Sequence, residues 1–182
     1  MLARAHTFTI EGLLTHRVTV EVDIRSGLPA FAIVGLADVA VREARQRVQA
    51  AILNSGYQFP SSRITANLAP GDVPKIGPAL DLALACAVLA ASGQVPSERL
   101  EGRVLFGELA LGGEVRPCQG TLAVAQATRQ SGFSALLLAG ERAREAKLIE
   151  GIEVTVVRRL TSSRIEHGRP FRLALGDGST GR

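Results

Sequence analysis

Three observations predict an α+β fold built on a mixed sheet. Paired strand-like segments dominate the start of the chain. Strands and helices alternate in its second half. One segment, Ala79 to Ala91, is apolar nearly all round. The first two features call for antiparallel and parallel pairing within one sheet. The third calls for a helix covered on most of its faces. A length of 182 residues suits one domain with a tail, and 46% hydrophobic residues supply its core. Aromatic residues are only 4% and Trp is absent, so that core is Leu, Val, Ala and Ile.

Thr7 to Leu14 and His16 to Ile24 read as two strands with a tight connection at Thr15–His16. Val18, Val20, Val22 and Ile24 alternate with polar neighbours, the period of a strand with one buried face. Ser26-Gly27-Leu28-Pro29 is a turn signal, and Phe31 to Val34 a short apolar strand. Val39 to Leu53 is an amphipathic helix. Val41, Ala44, Val48, Ala51 and Ile52 fall on one side; Arg42, Glu43, Gln46, Arg47 and Gln49 fall on the other. Asp38 is its candidate N-cap and Ser55-Gly56 its stop. A Glu43–Arg47 pair on this helix would be worth about 0.2–0.5 kcal/mol.

Arg63 to Leu68 alternates like a strand, and Pro70 to Pro78 is a loop rich in Gly and Pro. Ala79 to Ala91 is the expected core helix. Asp81 sits in its first turn, where a carboxylate suits the positive end of the helix dipole. Arg103 to Leu111 and Glu114 to Arg116 flank Gly112-Gly113, which predicts a hairpin with both glycines at positive φ. Glu108 is placed to pair with a cation across it. Thr121 to Gln130 reads as a helix with Leu122, Ala125 and Ala127–Thr128 on or near its buried side. Ser134 to Leu138 is a strand, Glu141 to Ile149 a short charged helix, and Ile152 to Val157 a final strand. Hydrophobic periodicity then stops, dividing the chain into a domain over 1–159 and a polar tail over 160–182.

A net charge of +4 permits anionic partners. Arg42, Arg45 and Arg47 cluster on one helix, and Lys75 lies in the glycine loop; all four are candidate anion, DNA or subunit contacts. The competing reading is a solvated face on the helix and a loop whose Gly77 and Asp81 serve structure alone. DNA binding through so few cations would be weak and salt-sensitive. Cys86 and Cys118 form no Cys-x-x-Cys pair and read as reduced thiols. His6, His16 and His167 lack metal-ligand spacing, so no metal site is expected. Met1 to Ile10 has no apolar signal-peptide core, and Leu82 to Ala91 is too short to span a bilayer. A cytoplasmic location away from membranes is the expectation.

Two segments carry a resemblance. Pro74-Lys75-Ile76-Gly77-Pro78-Ala79-Leu80-Asp81 and Gly107 to Gly120 resemble the active-site segments of the Lon protease domain. Where that family has its nucleophilic serine this chain has Ala79, and where it has its lysine this chain has Leu122. Phe31 to Pro60, with Val-Gly-Leu-Ala-Asp at its centre, and Arg63 to Asp72 extend the likeness. Over about Ala5 to Val157 the chain is similar to the N-terminal domain of the YifB/ComM group of magnesium-chelatase-like AAA ATPases.

That resemblance implies the ribosomal-protein-S5 domain 2-like fold shared with Lon. It implies a non-catalytic accessory domain, concerned with assembly or regulation, for an ATPase linked to DNA branch migration in recombination or natural transformation. The ATPase module would be its partner in cis or in trans, in a hexameric ring. ATP and Mg would belong to that module, since no Gly-x-x-x-x-Gly-Lys-Ser/Thr run occurs here. The chain is accordingly expected to be a fragment, a truncated product or a stand-alone domain. Two other readings stand beside this one: a stand-alone nucleic-acid-binding module of S5 type, and a cryptic hydrolase with another nucleophile.

Overall fold

The computed structural model describes residues 1–160. The expected tail over 161–182, with His167, lies outside the described residues. Strands β1 (Leu2–Glu11) and β2 (Leu14–Arg25) form a long antiparallel hairpin. Its turn is Gly12–Leu13 rather than Thr15–His16, because Gly12 supplies a φ of 60° and the valine alternation runs on through Thr15. Strands β3 (Ala30–Val34) and β4 (Arg63–Ala69) enclose helix α1 (Val39–Asn54) in sequence and pair in parallel. Helix α2 (Asp81–Ala91) follows a 3₁₀ turn at Pro78–Leu80.

The second half alternates as expected: β5 (Arg103–Phe106), the short pair β6 (Glu108–Leu109) and β7 (Val115–Arg116), α3 (Thr121–Gln130), β8 (Ala135–Leu138), α4 (Ala143–Ala146) and β9 (Glu153–Val156). The main sheet has the order β3-β4-β2-β1-β5-β8-β9. β1–β2 and β2–β4 are antiparallel; the other four pairings are parallel.

Two cores flank this sheet. One face carries Val18, Val20, Val22, Ile64 and Leu68 against α1 and α2, and every residue of α2 is buried. The other face carries Phe8, Val104, Phe106, Leu136 and Leu138 against α3 and α4. Around β2, β4 and β3 that second face instead forms an open groove lined by Glu21, Asp23, Thr65 and Asn67.

Three local expectations are corrected. The glycine hairpin closes through a four-residue turn from Ala110 to Gly113, and only Gly113 has positive φ, at 92°. The stretch 141–149 folds as a 3₁₀ turn at Gly140–Arg142 and one turn of α4, not as a continuous helix. Leu122 is 44% exposed; Thr121, Val124 and Ala125 form the buried side of α3. At the C-terminal end of the described chain, Leu160 is buried and donates its amide to the Gly113 carbonyl.

Candidate functional site

The glycine loop, the 3₁₀ turn that leads into α2, and the segments on either side of the β6–β7 hairpin converge on one pocket of about 270 Å³. Its floor is apolar: Phe8 and Ile10 from β1, Phe106, and Pro78 and Ala79 from the loop. Glu108, Cys118 and Gln119 bring the polar atoms. Backbone hydrogen bonds place these segments. Gly107 donates to the Ala79 carbonyl, and Leu82 donates to Gly107. The Thr9 hydroxyl accepts the Ile76 amide at 3.1 Å.

Asp38 has a second task beyond capping. One oxygen accepts the Val41 amide at 2.7 Å, and the other accepts the Gly77 amide at 3.1 Å. The same carboxylate therefore fixes both the start of α1 and the glycine loop. Gly77 adopts φ 76° with open space around it, so its glycine is needed for backbone conformation rather than for room.

Asp81 is fully buried beneath this loop. It accepts two hydrogen bonds from Arg47, at 2.7 and 3.0 Å, and one from the Leu109 amide at 3.2 Å. Burial pushes its carboxyl above the usual carboxylate range; the Arg47 guanidinium and the Leu109 amide oppose that. This changes the reading of Arg47, which also donates to the Ala40 carbonyl. Its ion pair is with Asp81 and not with Glu43, and it turns inward, away from any DNA-facing cluster. Asp81 does lie in the first turn of α2, as the sequence indicates, but there it is buried against Arg47 and Leu109.

Lys75 needs the same correction. It is fully buried, its ammonium donates to the Pro70 carbonyl, and burial lowers its pKa. It is no exposed anion contact. Arg42 and Arg45 remain at the surface, with Arg45 donating to the Phe31 carbonyl at 3.2 Å. Glu108 pairs with Arg116 across the hairpin at 3.2 Å. Gly112 and Gly113 lie at its turn, where a side chain at Gly113 would strike the Ser55 hydroxyl at 2.2 Å.

The two positions singled out by the Lon-like segments diverge. Ala79 lines the pocket, whereas Leu122 is not among its lining residues. Neither carries a nucleophile or a base. Cys118 brings a thiol, which burial pushes up to about 11. A neutral thiol is a poor nucleophile. Asp38 caps α1 as the sequence indicates, but its bond to Gly77 and the roles of Thr9 and Cys118 are not legible in the sequence. Thr9 and Asp38 bond partners 67 and 39 residues away, and no local pattern reports such distances.

The family described as "Subunit ChlI of Mg-chelatase" matches residues 20–142. The chain belongs to this ChlI family. YifB of Salmonella typhimurium, an uncharacterized protein, is 45% identical over 148 residues, 81% of this chain and 29% of YifB. The competence protein ComM of Haemophilus influenzae is 38% identical over 148 residues, 81% of this chain and 29% of ComM. Lon protease 2 of Bacillus subtilis is 30% identical over 90 residues, 49% of this chain and 16% of that protease. The chain thus spans about a third of the length of these YifB- and ComM-like relatives. No described helix is long and apolar enough to cross a membrane.

Proposed function

We propose that this ChlI-family domain is a non-catalytic accessory module that supports assembly or regulation of a magnesium-chelatase-like ATPase of the YifB/ComM group, supplied in cis or in trans. The observation that carries the proposal is the pocket around Ala79. The loop, the start of α2 and the hairpin are all hydrogen-bonded together around it, yet neither Ala79 nor Leu122 can supply serine-lysine chemistry. A hydrogen-bonded pocket without a nucleophile suits a scaffold, and the relative named competence protein ComM supports a motor that works in competence; DNA branch migration would be that motor's task. In that setting the domain would act within a ring of copies, and ATP and Mg would be held by the motor.

The test joins the chain to the ATPase region of a YifB relative. ATP hydrolysis and branch migration are measured with and without residues 1–160. The domain is expected to change the motor's DNA-dependent rate or its oligomeric state while hydrolysing neither peptide nor ATP alone. Labelling of the unmodified chain by a serine-directed phosphonate, or an identical motor without the domain, would sink the proposal.

A further inference from the structure

Among the described residues the sheet ends at β3, which has β4 on one side and no strand on the other. Ala30 donates its amide to the Ser62 carbonyl of the chain leading into β4. In a parallel ladder successive residues point to opposite sides, so Phe31 and Ile33 turn their backbone groups outward. The Phe31 carbonyl is met there by Arg45. Such an edge is a template for another strand, and this one carries no proline and no charged residue of its own.

A second feature lies beside it. Arg42, Arg45, Gln49 and Leu53 recur at spacings of three and four residues, forming one stripe of α1. Arg45 touches β3, and Gln49 and Leu53 line a hollow of about 360 Å³ together with Phe31 and Phe59. The stripe therefore overlooks the free edge from its basic start to its apolar end. The Phe31 and Phe59 rings lie 5.6 Å apart, and Leu53 is 51% exposed. Among the described residues Arg42 and Arg45 form no ion pair with a carboxylate.

We infer that the β3 edge is a docking site for an extended polypeptide segment of a partner, one carrying an apolar side chain and nearby carboxylates. Main-chain pairing with Phe31 and Ile33 would extend the sheet. The apolar side chain would fill the hollow of Phe31, Leu53 and Phe59, and the carboxylates would meet Arg42 and Arg45. Strand addition characteristically combines these parts: backbone bonds for affinity and a side-chain pocket for specificity. Charge complementarity selects the acidic segment over a basic one or a second copy, whose own Arg42 and Arg45 would face these across a two-fold axis. The inference stands apart from the accessory role proposed above.

Three probes test it on the whole chain: a ten-residue peptide with a central Leu flanked by Asp and Glu, the same peptide with Lys for the acids, and a labelled DNA duplex. Anisotropy should show saturable binding of the acidic peptide only. Amide exchange should slow at Phe31 and Ile33 on binding. Reversing both charges, Arg42→Glu with Arg45→Glu, should weaken binding about tenfold or more. Both residues are exposed, so that variant should keep the native circular dichroism. Leu53→Asp should weaken binding through the hollow independently. Equal binding of the Lys peptide, competition by duplex, absence of β3 protection, or self-association lost in the same variants would each overturn the inference.

Discussion

Replacing Arg47 by Ala would leave Asp81 buried without its cation. Loss of one partner from a buried pair costs about 3–5 kcal/mol, because the remaining charge cannot reach water. Urea unfolding should show this as a lower midpoint. The deficit should depend on pH. A carboxyl whose folded pKa lies above its unfolded value favours the fold below the unfolded pKa, and that stabilisation is lost as pH rises through the folded pKa. Burial already acts upward on Asp81, and Arg47 opposes it. Arg47→Ala should therefore be least harmful near pH 4 and most harmful near neutrality. Asp81→Asn in the same background should flatten that slope. Cys118 offers a chemical check of the pocket. A thiol moved from 9.0 to about 11 holds roughly 100-fold less thiolate near neutral pH. Alkylation of the native chain at pH 7 should be correspondingly slow and should speed up as pH rises.

Asp38→Ala tests the link between α1 and the glycine loop. Loss of an N-cap costs about 0.5–2 kcal/mol, and release of the Gly77 amide should put the value in the upper half of that range. Thermal unfolding followed by circular dichroism measures it, and Asp38→Asn should recover only part of the loss, since its one amide oxygen can accept from Val41 or Gly77 but its nitrogen can accept from neither. In the loop between β3 and α1, a Cβ at Gly35 would lie 2.3 Å from the Leu68 carbonyl, at a φ of 106°. Gly35→Ala should thus be far more damaging than Gly77→Ala, which meets only backbone strain. The existence of these elements was legible in the chain because periodicity is a local property. Val18 to Ile24 announces a strand and Val41 to Ile52 a helix face. Their joints were less so: the Gly12–Leu13 turn was misplaced because Thr15 and His16 are as polar as a turn would be. Arg47 sits on the polar side of a helical wheel, and only the distant Asp81 explains why it turns inward.

Across the whole molecule, α2 lies between α1 and the centre of the sheet, with no polar stripe. Leu89→Ala should cost about 2–5 kcal/mol through the cavity it leaves. The variant should still unfold in one transition, since β1 and β5 contribute side chains to both cores. The mixed sheet was legible in the order of hairpins and alternating elements. The pairing of β1 with β5 was not, because it joins His6 to Val104 across most of the domain. The three-way meeting of Arg47, Asp81 and Leu109 carries a further consequence for the rate at which the fold is lost. These groups reside on segments 34 and 28 residues apart in sequence, so their contact can form only after α1, α2 and the hairpin have come together. Contacts completed after the folding barrier slow unfolding more than they speed folding. In a chevron plot, Arg47→Ala should therefore raise the unfolding limb and leave the folding limb nearly in place, making this buried pair a brake on escape from the native state.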